Sequence, residues 1–162
     1  MLTRDNLYGF HIRLASVDEI PAIQEITKNS FQKYIKNADI EDIEALNETY
    51  EDIAFDLDDK LVFVAFINDR PVGSVRIKIN DGNTAYLSRF GVNDAYQNQG
   101  VGKSIMSVID MVMQEKGIKR LELHSAAKYF DLVRFYYSRN FYIESTTEDK
   151  GYLRALLVKE YN

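Results

Sequence analysis

The sequence contains no cysteine and no tryptophan, and only two histidines, two prolines and eight glycines among its 162 residues. Without cysteine there is no disulfide framework, no thiolate metal site and no cysteine nucleophile, and two histidines are too few for a histidine-rich metal site. No metal is therefore expected. The shortage of glycine and proline, with 46% hydrophobic and 28% charged residues, excludes collagen-like, low-complexity and disordered classes. Nowhere do eighteen apolar residues run together, and Met1 to Phe10 carries charges in place of a signal-peptide core. That predicts no membrane partner and, by default, a cytoplasmic location. Twenty basic against 25 acidic residues, net charge -5, weigh against nucleic acid as a partner.

What is present reads as one domain over residues 1–162, long enough to bury its own core. His11 to Ala15 is a strand candidate. Ser16 and Glu19 have capping-box spacing, and the isoleucines that follow recur at helical intervals, predicting a helix over 17–34. Asp39 opens a second predicted helix, with apolar residues from Ile40 to Leu57 at a 3.6 period. Leu61 to Ile67 is apolar without a break, as in a strand covered on both faces. Turn chemistry at 68–71 and at Asp81-Gly82 separates it from strands over 72–79 and 86–92. A helix over 100–116, a strand over 120–124, a helix over 130–139 and a closing hairpin complete the chain. The order β-α-α-β-β-β-α-β-α-β-β implies an α/β (α+β) domain, with a mixed, mostly antiparallel sheet of about seven strands and helices on both faces.

Val92 to Met106 is where chemistry concentrates, because a strand there gives way to a glycine-containing loop that opens a helix. Free N–H groups and the positive end of the helix dipole make such a place an anion site, although glycines can serve a turn alone. Three phosphate motifs compete for it. Gly102-Lys103-Ser104 ends like a P-loop, but the first P-loop glycine would fall at Gln97. A G-x-G-x-x-G dinucleotide fingerprint would need glycine at Ile105. Gln97-Asn98-Gln99-Gly100-Val101-Gly102 satisfies the third, Q/R-x-x-G-x-G/A.

With Tyr96 ahead of it, the strand L-S-R-F-G-V before it, and Arg134 to Phe141 resembling an F-Y-x-x-x-G-F block downstream, this motif resembles the GNAT superfamily of N-acetyltransferases. The resemblance implies an acetyl-CoA donor whose pyrophosphate is held by the backbone N–H groups of Gln99, Gly100, Val101, Gly102, Lys103 and Ser104, with Gln97 and Asn98 also counted as cofactor-binding. It implies that the main chain of Phe90, Gly91 and Val92 pairs with the pantetheine arm in a gap between splayed strands, and that a backbone N–H near Val92 holds the oxyanion. An amine acceptor, small molecule or peptide, would attack the thioester directly, and Tyr136 would protonate the leaving thiolate. Reference pKa values of about 8.5 for a thiol and about 10 for tyrosine make that transfer nearly balanced. Family members are often dimers, so a homodimer is within the expectation. A non-catalytic acyl-CoA-binding module on the same fold is the alternative.

Three positions depart from the family pattern. Asn140 stands in place of glycine, Tyr129 in place of an asparagine, and no glutamate lies on the strand near Tyr86 to act as base. A base matters because an amine of pKa about 10.4 is only about 0.04% neutral at pH 7, roughly 4.6 kcal/mol of penalty. His124, Glu122 or a water chain are the candidates, with His124 preferred for its ordinary pKa. Finally, Asp39 to Asp59 holds ten acids and no base, while the rest of the chain has net charge +5. Such a field suits either a solvated helix face or a cationic acceptor.

Overall fold

Seven strands make one sheet in the computed structural model, which describes residues 9–41 and 43–162. The N-terminal stretch and Asp42 of the acidic run lie outside the described residues. The strands are β1 (Phe10–Leu14), β2 (Leu61–Ile67), β3 (Arg70–Asn80), β4 (Thr84–Val92), β5 (Arg120–Ala126), β6 (Tyr142–Thr147) and β7 (Arg154–Glu160). Their order across the sheet is β1-β2-β3-β4-β5-β7-β6, and only β4 and β5 run parallel. The helices are α1 (Ile20–Ala38), α2 (Tyr50–Asp59), α3 (Val101–Glu115) and α4 (Phe130–Ser138). None of them is long and apolar enough to cross a membrane.

The unbroken apolar run of β2 serves both faces, as its sequence predicts. Val62, Val64 and Phe66 pack with Ile20, Ile23 and Ile53 of α1 and α2. Phe63, Ala65 and Ile67 belong to the opposite core, with Ile105, Ile109 and Met113 of α3 and Tyr136 of α4. Successive side chains point to opposite faces, so each strand residue is assigned a layer by parity. On β5, Leu121 and Leu123 join the α3 core, which turns Glu122, His124 and Ala126 toward α1.

The helix predicted from Asp39 is interrupted. Asp39 closes α1 in a left-handed conformation, φ 56°, a short 3-10 turn covers Glu44–Asn47, and α2 starts only at Tyr50. Thr49 explains the late start, because its hydroxyl accepts from the Asp52 N–H while the Asp52 carboxylate accepts from the Thr49 N–H. That reciprocal cap outweighs the continuous apolar period of Ile40 to Leu57. Arg76 of β3, on the face toward α1 and α2, is wholly buried; it donates to both Glu48 oxygens at 2.6 Å and to Asp56 at 2.8 Å. Those acids therefore belong to neither a solvated face nor a substrate field. They are the counter-charge of a buried cation.

Candidate active site

Strand β4 pairs with β5 over only Thr84, Ala85 and Tyr86, opposite Arg120, Leu121 and Glu122. Beyond that point β5 stays with β7 while β4 stays with β3, so the two strands part and leave the β5-facing edge of β4 unpaired. A bulge deepens the gap. Arg89 has φ 53°, and the pairing with β3 slips so that Ser74 faces Gly91 and Arg76 faces Ser88. The extra residue reverses the parity of the strand. Arg89 reaches Glu48 on the α1 side, and Phe90 turns to the α3 side, where its ring stacks on Phe135 at 5.6 Å.

Past the gap, β4 leads through a 3-10 turn at Asp94–Tyr96 to the start of α3. Gly100 caps that helix with φ 85°, a conformation that costs glycine nothing. The amides of Val101, Gly102 and Lys103 have no carbonyl four residues back within the helix, so they remain donors for an anion. The Ser104 N–H is already given to the Gly100 carbonyl at 3.0 Å, which leaves Ser104 its hydroxyl. Gly102 has a different reason from Gly100, since a Cβ there would come within 3.2 Å of the Phe90 ring. Gln97 acts as a strut. Its amide donates to the Val92 carbonyl at 3.3 Å, and its oxygen accepts from Lys33 of α1, which also holds Asp94 at 2.9 Å. Asn98 is exposed with φ 65°, and Gln99 reaches the Ala95 carbonyl at 3.5 Å.

A cleft of about 650 Å³ opens over the splay, lined by both strands, by α1 and by the loop before β7. Tyr86, His124 and Tyr136 all face it. The acetyltransferase (GNAT) family model matches residues 20–141. This chain belongs to the GNAT family of acetyltransferases. The uncharacterized protein YyaT of Bacillus subtilis is 30% identical over 100 residues, 60% of this chain and 64% of its own length. The chain thus spans less than two thirds of that relative. The PaiA N-acetyltransferase of Thermoplasma acidophilum, solved in complex with coenzyme A, superposes with TM-score 0.83 at 22% identity, covering 94% of this chain and 99% of that one. The ribosomal-protein-S18-alanine N-acetyltransferase of Escherichia coli gives 0.76 at 16% identity, covering 93% of each chain. At those identities the structural likeness speaks for the fold.

Within this GNAT fold the two candidate catalytic side chains approach the splay from opposite layers. Tyr136 comes from α4 among Phe90, Phe135 and Phe141, with ring centroids 5.5 to 6.2 Å away. Its hydroxyl makes no hydrogen bond among the described residues, and burial pushes its pKa well above that of a free tyrosine. The same ring-lined surroundings disfavour a thiolate as well as a phenolate, so burial bears on both partners of the expected proton transfer. Tyr136 is suited to donate a hydrogen bond to developing negative charge. The neighbouring Tyr137 is half-exposed and accepts the Ile143 N–H.

His124 comes from the α1 side of the sheet. Its Nδ1 lies 2.6 Å from the Tyr86 hydroxyl, a contact the sequence did not suggest although the family's glutamate position pointed to that stretch of strand. Burial first, and Arg154 second, lower the His124 pKa below its ordinary value, which favours the neutral ring. Glu122 is set aside by geometry: its carboxylate is 2.6 Å from Arg120 and is absent from the cleft lining. Two further residues shape the site without advertising it in a motif. Tyr34 of α1 accepts the Ala126 N–H at 2.6 Å and ties the end of β5 to α1. Ser30 packs on Gly91, where a Cβ would lie 2.5 Å from the serine oxygen. Among the described residues no His, Cys, Asp and Glu grouping could hold a metal.

Proposed function

We propose that the chain is an acetyl-CoA-dependent N-acetyltransferase that brings donor and primary amine together and transfers the acetyl group directly. The observation carrying this reading is the three-residue limit on β4–β5 pairing, because it opens a main-chain edge that leads to the unpaired amides of α3. Those features fit the donor's parts. The β4 edge offers hydrogen bonds to the amides of a pantetheine arm, and Val101, Gly102 and Lys103 offer amides to a pyrophosphate, with the exposed Lys103 ammonium and the Ser104 hydroxyl beside them. Acetyl-CoA supplies an activated thioester at the splay.

The chain's own groups then handle two protons and one developing charge. His124, neutral and tied to Tyr86, removes the proton that an attacking ammonium must lose, directly or through the tyrosine hydroxyl. A β4 amide near Val92 faces the oxyanion. Tyr136 gives its proton to the sulfur as the carbon–sulfur bond breaks, and the second proton, shed by the nitrogen as it becomes an amide, restores the tyrosine hydroxyl through solvent, so the products are amide and free thiol. Incubation with acetyl-CoA and a panel of primary amines, followed by free thiol, tests the reading. Amine-dependent thiol release supports it. Binding of acetyl-CoA without release by any amine would point to a non-catalytic acyl-CoA-binding module.

A further inference from the structure

We propose that the acceptor is an amine that also carries a carboxylate, of amino-acid type, with the carboxylate held between Arg89 and Arg154. This rests on the acetyl-transfer reading and names its second substrate. The acidic run of the sequence suggested a cationic acceptor, but four of its members are engaged elsewhere. Glu48 and Asp56 neutralise Arg76, Asp59 pairs with Lys78 at 2.5 Å, and Asp52 caps α2. Among the described acids of that run only Glu44 lines the cleft, and it is largely solvent-facing, 4.0 Å from Lys150.

Against that single acid the cleft presents Lys33, Arg89, Lys150 and Arg154. Two of these stand beside the reacting groups. Register fixes Arg154: it lies opposite Ala126, two residues from the Leu156 that faces His124, and so shares the His124 side of the sheet. The bulge turns Arg89 onto the same side, three residues past the last β4–β5 pair. Both arginines line the same cleft as Tyr86 and His124.

Neither guanidinium is fully used. Arg89 gives only its Nε, at 3.3 Å, to a Glu48 already bidentate with Arg76. Arg154 gives one terminal nitrogen to Asp149, an aspartate with 58% of its side chain exposed. Their remaining donors have no partner among the described residues, and planar guanidinium forks match a carboxylate well. Phe31, Tyr34, Tyr129 and Tyr152 line the rest of the cleft and suit an apolar body.

The test is calorimetric titration of the CoA-saturated full chain with L-phenylalanine, L-leucine and L-methionine, each beside its C-terminal amide, and with spermidine as a polycation. Thiol release from acetyl-CoA is followed in parallel. The acids are expected to bind at least ~tenfold more tightly than their amides, the scale of one charge-assisted contact. Arg154→Gln and Arg89→Gln should each bring the acid-to-amide ratio toward one. Acids binding no better than amides, or spermidine binding better than both, overturns the proposal. So does a fall in CoA affinity that accounts for the variants' effect, since the arginines would then serve the donor. Acid-selective binding without thiol release would leave the carboxylate site standing and overturn acetyl transfer.

Discussion

Tyr136 shows why position in a motif and chemical role are separate questions. The downstream aromatic block locates the residue, but the ring-lined burial that alters its acidity comes from Phe90, Phe135 and Phe141. Tyr136→Phe should lower kcat by about 10²-fold, the lower end for a single positioned proton-handling group. Because the hydroxyl has no partner among the described residues, the same variant should keep the fold's stability within about 1 kcal/mol, read from a urea transition. Unchanged kcat would remove Tyr136 from the reaction. His124 makes the second residue-level prediction. With its folded pKa below 6.5, kcat/KM should hold steady from neutral pH downward past 6.5 and fall only as the ring protonates, and His124→Gln should erase that acid limb. The stability sign follows the same way: a depressed histidine takes up protons more readily unfolded, so its contribution is present above about pH 6.5 and is lost on acidification. Asn140, in glycine's place, has φ 73° as its side-chain type allows, and Asn140→Ala should cost roughly 1 kcal/mol in the same urea transition.

Elements carry the site through their irregularities, and these were unequally visible in the sequence. The glycine loop and its helix could be read at once, because Gly100 and the residues after it form a local pattern. The bulge at Arg89 could not, since strand alternation on either side of it looks regular and only pairing with β3 exposes the extra residue. The same limit explains the false long helix over 39–57: an apolar period records burial, while the break is set by the Asp39 conformation and the Thr49–Asp52 cap. Gly91 is a sharper case, with no turn to explain it. Its reason lies 61 residues away in Ser30, and Gly91→Ala should destabilise the protein by about 1–3 kcal/mol by forcing α1 off β4. Arg76→Met removes the partner of two largely buried carboxylates, and a loss of about 3–5 kcal/mol is expected, measured by the midpoint of urea unfolding.

At the scale of the whole molecule, the mixed sheet and its two helical layers follow from patterns that repeat along the chain, which is why the fold class was legible in the element order, whereas the insertion of β7 between β5 and β6 is set by long-range pairing. The charge distribution was not. Sequence proximity grouped ten acids into one field, whereas folding distributes the described ones among a buried arginine, a helix cap, a surface lysine and open solvent. Among the described residues the cleft is lined by more cations than anions, and the proposed acceptor rests on that difference. The most direct test of the account is release of free thiol from acetyl-CoA by the purified chain across the amine panel. The account predicts release that requires an amine, matches acetylated product one for one, and is reduced about 10²-fold in Tyr136→Phe. Tight acetyl-CoA binding with no amine-dependent thiol would contradict it.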